Sequence, residues 1–259
     1  IQESGLRLVL GRGCWDVEGL APQELSEDIP GAMRECRKVI QRWDGAGEGR
    51  LRVRIEASLI SQCTDEMIRA TKALADEHSL GWAIHHQERL AANAVDPRRG
   101  DPRIERFEGR AMEYLEHLGV LDPGSLIIHA THADDVEVKV LARTGAAVAH
   151  CPVANAWAAR SQIAAVPTML REGATVGLGT DGALTNDSLD LFQAMKFCAL
   201  IHKVNHGDTT AMTAEKVIEM ATRGSAKALG MQGEVGSLEP GKRGDIILLD
   251  TQSPGMTPG

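Results

Sequence analysis

At 259 residues and 27.8 kDa, with 43% apolar content, the chain can bury one large core and has the size of a single α/β barrel. A net charge of -8 on scattered Lys, Arg, Asp and Glu excludes the clustered basic face that nucleic acid or an acidic membrane requires, and it selects no substrate. Five cysteines without C-x-x-C spacing exclude a disulfide framework and a thiolate zinc ribbon, so a reducing cytoplasm is the expected compartment. No run reaches the ~18 apolar residues of a membrane span.

Residues 5–10 (GLRLVL) read as a short apolar strand ending at Gly11-Arg12-Gly13. Ile29, Met33, Cys36, Ile40 and Trp43 recur three and four apart, which predicts an amphipathic helix stopped by Asp44-Gly45. Residues 50–57 (RLRVRIEA) alternate as a second strand. Thr64 is placed to cap the next helix, with Asp65 and Glu66 in its first turn and Gly81 just past its end. A third strand is expected at 82–85, a polar loop at 93–103, and then a helix through Met112, Leu115 and Leu118. Strands at 125–129 and 146–150 flank a helix over 136–144, and a helix over 163–172 leads to the apolar stretch at 174–178.

That last strand should end near Thr180 and deliver the Asp181 carboxylate to its C-terminal rim, where barrels carry their chemistry. Gly177, Gly179 and Gly182 spell G-x-G-x-x-G, but the motif comes late in the chain and sets an anionic Asp181 where a pyrophosphate would lie. The plain alternative for Asp181 is a cap on a helix starting near Ser188. Thr213 caps a final helix ended by Gly230, and 246–249 read as a lone apolar strand whose partners are expected outside these residues. Strand and helix thus alternate through six units without a hairpin signal, the pattern of a parallel sheet wrapped by helices.

Successive strands end in His85-His86-Gln87-Glu88, His129, His150-Cys151-Pro152 and Asp181. A closed barrel would gather such ends around one pocket, and imidazole with carboxylate holds Zn²⁺ or Fe²⁺ while leaving a position open for water. Glu88 is then placed to shuttle protons. By strand alternation His86 should face away from His85, and His86 and His132 read as structural or supporting groups; His78, His117, His202 and His206 read as helix and loop residues with no role.

The strings H-H-Q-E at 85–88, I-I-H-A at 127–130, H-C-P-V-A-N at 150–155, G-L-G-T-D-G-A-L-T-N at 177–186 and G-S-L-E-P-G-K-R-G-D-I at 236–246 together resemble the amidohydrolase superfamily. Within it they are similar to the branch of cytosine, guanine and adenosylhomocysteine deaminases and triazine hydrolases. The resemblance implies an α/β fold of (β/α)8 TIM-barrel type with about six of eight units present, residues 1–232 forming the partial barrel and 233–259 the remnant of a small β-sandwich. It implies His85 and Asp181 as metal ligands, Glu88 as proton shuttle, and His129 as a contact to the hydrolytic water or substrate. Asn155 and Asn186 would shape loops around the substrate, and Trp157, in the loop that follows, offers a ring for stacking on it, with a core or surface tryptophan as the alternative.

The cofactor implied is one divalent metal, zinc ahead of iron. The reaction implied is metal-hydroxide attack on a ring carbon of an aminopurine, pterin or s-triazine, with release of ammonia. Alternatives are a cyclic-amide or chloro-triazine hydrolase and a non-catalytic scaffold, which has no need of His85, Glu88, His129 and Asp181 together. The expected partner is a small heterocycle, with neither nucleic acid nor membrane, and homo-oligomer formation is left open. Relatives carry an H-x-H pair on the first barrel strand, and this sequence contains none. With the non-methionine start, this leads to the expectation of an N-terminal segment that supplies the pair. The loop at 156–165 also departs from the family pattern, which makes the exact substrate the least constrained inference.

Overall fold

The computed structural model describes residues 2–17, 24, 26–86, 101–158, 162–250 and 252. Its centre is a six-stranded parallel sheet in the order β1 (Leu8–Cys14), β2 (Leu51–Leu59), β3 (Gly81–His85), β4 (Ser125–Ile128), β5 (Ala147–His150) and β6 (Thr175–Leu178). Neighbours in sequence are neighbours in space, and among the described residues β1 does not pair with β6, so the sheet is an open arc of a barrel. Helices connect the strands: α1 (Ile29–Trp43), α2 (Asp65–Glu77), α3 (Ala111–His117), α4 (Asp135–Thr144), α5 (Pro152–Trp157) and α6 (Val166–Arg171). After β6 come α7 (Leu191–His206) and α8 (Ala214–Glu219), and a π-helical turn at Met220–Gly224 leads into α9 (Ser225–Ala228).

Strand alternation divides the sheet into two faces. Val53, Ile55, Trp82, Ile84, Ile127, Val148 and Val176 bury themselves against the helices, each such side chain contributing about 1.5–3 kcal/mol relative to exposure. The buried indole of Trp82 donates from Nε1 to Thr71 Oγ1 at 3.1 Å, so its polar edge is satisfied within that layer. The opposite, inner face is thinner: Ala83, Leu126 and Ala147 pack against Ala228 of α9, which closes the N-terminal end of that face.

Local signals set most boundaries. Thr64 Oγ1 accepts from Met67 N at 3.1 Å and donates to Asp16 at 2.6 Å, which caps α2 and ties it to the end of β1. Asp134 caps α4, Thr213 caps α8, and Gly145 ends α4 with φ 76°. Asp190, not Asp181, caps α7 by accepting from Phe192 N at 2.8 Å. The plain alternative for Asp181 is thereby removed.

Several expectations are corrected. The first strand runs on through Gly11-Arg12-Gly13 to Cys14, because these residues pair in register with 54–57 of β2. The 163–172 helix is shorter, since Pro167 sets its first turn at Val166, and Pro152 opens an additional short helix, α5, directly after β5. Residues 246–249 do not form a strand; with no partner among the described residues they are exposed, Leu248 to 93%. The tail before them is pinned to the sheet by Arg52–Glu234 at 2.5 Å and Arg7–Asp245 at 2.7 Å.

The glycines of the G-x-G-x-x-G string serve close packing. A Cβ on Gly177 would stand 2.9 Å from Ser225 Cα, and one on Gly224 would stand 2.5 Å from the Val176 carbonyl. Strand β6 and the C-terminal helices therefore touch backbone to backbone. Gly224→Ala in the full natural chain should force them apart and cost about 1–3 kcal/mol. Gly233→Ala, where nothing lies within 4 Å, should leave the urea unfolding midpoint unchanged. Equal midpoints for the two variants would show that this contact is not part of the stable fold.

Candidate active site

Because all six strands are parallel, their C-terminal ends share one rim, and polar groups from four of them meet there. His85 is the last residue of β3. Opposite it, β2 carries a bulge between Ala57 and Leu59, so Ser58 has no register partner and its carbonyl turns toward His85. His85 Nδ1–H donates to Ser58 O at 2.9 Å, and Glu56 Oε1 lies 3.2 Å from the same nitrogen. Two acceptors on one side place the ring proton on Nδ1, which makes Nε2 the basic nitrogen.

His129 follows β4 with φ 70°, and Ala130 continues at φ 50°. Its ring centroid lies 5.6 Å from that of His85, and its Nε2 lies 3.7 Å from Asp181 Oδ2. Asp181 itself has φ 63°, and its Oδ1 accepts from Gly182 N at 2.6 Å. Asn186, buried beneath this loop, donates from Nδ2 to Thr180 O at 2.6 Å and so holds the turn that presents Asp181. Non-glycine residues in the left-handed region are uncommon, and three of them border this pocket.

The structure thus brings His85, His129 and Asp181 together, and it adds Glu56. The sequence carries a signal for Glu56, the last charged residue of an alternating strand. Glu88 lies outside the described residues. Asn155 is buried in the first turns of α5, with no hydrogen-bond partner among the described residues for either amide atom, whereas Trp157 at the end of that helix is exposed. His86 turns to the helix-covered face, where its Nε2 lies 3.2 Å from Glu137 Oε1, which also accepts from Met112 N at 2.9 Å.

His150 departs from the expected convergence. It points to the helix-covered face, and its Nε2 sits 3.3 Å from Nε2 of His202, a residue for which the sequence suggested no role. Burial pushes the His150 imidazole down to about 3 and that of His202 to about 4, so both rings are neutral at ordinary pH. A cleft lined by Thr175, Lys216, Arg223 and Lys227 lies beside the start of β6, at the other end of the sheet, and shares no residue with the rim set.

The family model for the amidohydrolase family matches residues 1–258. This chain belongs to the amidohydrolase family. It is 36% identical over 259 residues to a 5'-deoxyadenosine deaminase of Methanothermobacter thermautotrophicus, covering 100% of this chain and 57% of the relative. It is 35% identical over 273 residues to an S-triazine hydrolase of Gordonia rubripertincta, covering 99% of this chain and 54% of that protein. Among solved structures, a Xanthomonas campestris adenosine deaminase with bound zinc superposes with a TM-score of 0.85 at 22% identity, over 99% of this chain and 55% of its own. The chain spans little more than half the length of the curated relatives it matches. Among the described residues, no helix is long and apolar enough to cross a membrane.

The His85 geometry has a direct spectroscopic consequence. Two-dimensional ¹⁵N–¹H spectra of the imidazoles should show His85 as the Nδ1–H tautomer at pH 8. Glu56→Gln should leave that tautomer in place, because the Ser58 carbonyl still accepts the proton. An Nε2–H signal for His85 would mean that the bulge does not orient the ring.

Proposed function

We propose that the complete protein is a metal-dependent hydrolase that deaminates an amino-substituted nitrogen heterocycle, aminopurine derivatives ahead of pterins and s-triazines. The observation that carries this reading is the meeting of His85, His129 and Asp181 at one strand-end rim in a chain of this family. On the same reading residues 233–259 would belong to a small β-layer of the complete protein. The protein is expected in the cytoplasm.

The donor set fits a divalent ion of borderline hardness, zinc ahead of iron: a neutral imidazole whose basic nitrogen is fixed as Nε2, and a carboxylate. His85 and Asp181 would hold it, and the rest of its ligands must come from residues beyond this set. When bound, the ion supplies Lewis acidity that makes water nucleophilic near neutral pH. The remaining work belongs to side chains. Asp181 accepts a proton from the attacking water, and His129, 3.7 Å from that carboxylate, contacts the same water or the developing oxygen.

Protonated Glu88 gives its proton to the ring nitrogen beside the attacked carbon. Asp181 then returns the water's proton to the amino group, which leaves as ammonia, while the proton on the new hydroxyl passes to Glu88 and the ring carbon keeps oxygen. Water plus the amine gives the oxo-heterocycle plus ammonia. On this reading Asn155, Trp157 and Asn186 would border the heterocycle. Glu56 and the Ser58 carbonyl keep the His85 ring in orientation.

Replacements in the full natural chain separate these roles. Asp181→Asn should lose metal and activity together, since it removes a charged ligand. Glu88→Gln should retain the metal and lower turnover by roughly 10²–10⁴-fold, which metal analysis beside rate measurement distinguishes. An unchanged rate for Glu88→Gln would remove it from the proton path. Glu56→Ala should weaken metal retention by roughly 10–100-fold against a competing chelator, with much of it restored in Glu56→Gln.

A panel of aminopurine nucleosides, aminopterins, amino-s-triazines and hydantoins, followed by ammonia release, tests the substrate class. Turnover of hydantoins alone would overturn deamination. Full metal loading with no turnover of any compound would favour a scaffold.

A further inference from the structure

We propose that His150, Cys198 and His202 form a second metal site, for a thiophilic d¹⁰ cation (Zn²⁺ or Cu⁺), on the helix-covered face behind the catalytic rim. His150 is the last residue of β5, while Cys198 and His202 lie four apart on α7 and so share one helix face. One ligand atom from each, two imidazole nitrogens and one sulfur, all lie within 4.8 Å of one another. The three residues are 1%, 0% and 0% exposed.

The spacing favours coordination. Two nitrogens bound to zinc at about 2.0–2.1 Å in a tetrahedron stand about 3.3–3.4 Å apart, and the two Nε2 atoms stand at 3.3 Å. The chemistry is also consistent. Burial keeps both imidazoles neutral, so each offers a lone pair without first losing a proton. Burial pushes the Cys198 thiol up to about 12, so it is protonated alone, and metal binding must release that proton to solvent.

Charge decides between the two ions. One thiolate leaves Cu⁺ neutral and Zn²⁺ with a residual positive charge, and among the described residues no Asp or Glu joins the cluster. In so buried a site the neutral complex carries the smaller desolvation cost. A bound ion would tie α7 to the end of β5, whose His150 carbonyl accepts from Gly179 N at 2.9 Å on the segment leading to Asp181. Its role would be that of a staple behind the rim. The competing account is a plain His–His hydrogen bond with Cys198 packed beside it.

Cobalt separates this site from the rim, because the rim set of His85, His129 and Asp181 has no sulfur. The full natural chain produced with Co²⁺ should show a thiolate-to-cobalt charge-transfer band in the near ultraviolet. That band should vanish in Cys198→Ala and persist in Asp181→Asn. Retention of Zn²⁺ or, under anaerobic conditions, Cu⁺ against a competing chelator identifies the ion, with about one equivalent lost in Cys198→Ala. Urea unfolding of the metal-free Cys198→Ala protein, compared with metal-free wild type, confirms that the variant is folded. A wild-type protein that holds no metal at the rim yet shows the thiolate band would defeat the catalytic reading and leave this one standing. Absence of any Cys198-dependent Co²⁺, Zn²⁺ or Cu⁺ in the folded wild type would overturn the proposal and leave the hydrogen-bonded pair.

Discussion

The parallel register of the six strands is the constraint on which the rest depends. Each strand enters from the same end, so residues far apart in sequence, Glu56, His85, His129 and Asp181, arrive at one rim without any local sequence relation. Alternation then sorts them by face. In β3 the order Ala83, Ile84, His85, His86 sends His85 inward with Ala83, and sends His86 outward with Ile84 to the buried Glu137. A shift of one residue in this register would exchange the two histidines.

The same register places a charge at the inner floor. Arg54 is 5% exposed, and burial pushes its guanidinium down to about 10. It donates to Trp82 O at 3.0 Å and to Ala228 O at 3.3 Å. The second acceptor belongs to the end of α9, where carbonyls lack helical partners and the dipole favours a cation. Arg54 thus fastens the last helix to the sheet, while Glu56, two residues on and so on the same face, supplies opposite charge between that floor and the rim. One strand serves both ends of the inner face, its arginine structural and its glutamate directed at His85.

Much of this was legible in the sequence. The six strand–helix units, the Thr64, Thr213 and Gly230 signals and the Asp181 rim position all come from short-range physics that a sequence displays. What was not legible depended on partners. The bulge that frees the Ser58 carbonyl exists only in relation to β3, and the role of Gly177 and Gly224 only in relation to each other's elements. His202 looked like one more helical residue because its partner, His150, lies on another element altogether.

His129 and His150 show why strand-end histidines cannot be assigned from position alone. Ile128 and Ala149 are register partners and both face inward, so alternation sends the next residue of each strand outward. His150 obeys: it is still a strand residue, paired with Leu178 of β6, and the chain turns into α5 only after it, at Cys151 with φ -116° and ψ 73°. His129 does not. Left-handed φ values at His129 and Ala130 reverse the chain, and such residues cost roughly 1–3 kcal/mol each unless their surroundings fix them. Here His129 N donates to Ala149 O at 2.9 Å and Ala130 N to Ile128 O at 3.0 Å, so the turn is held by the strands it leaves. Backbone strain after β4 brings one histidine into the pocket, and its absence after β5 leaves the other to the helices.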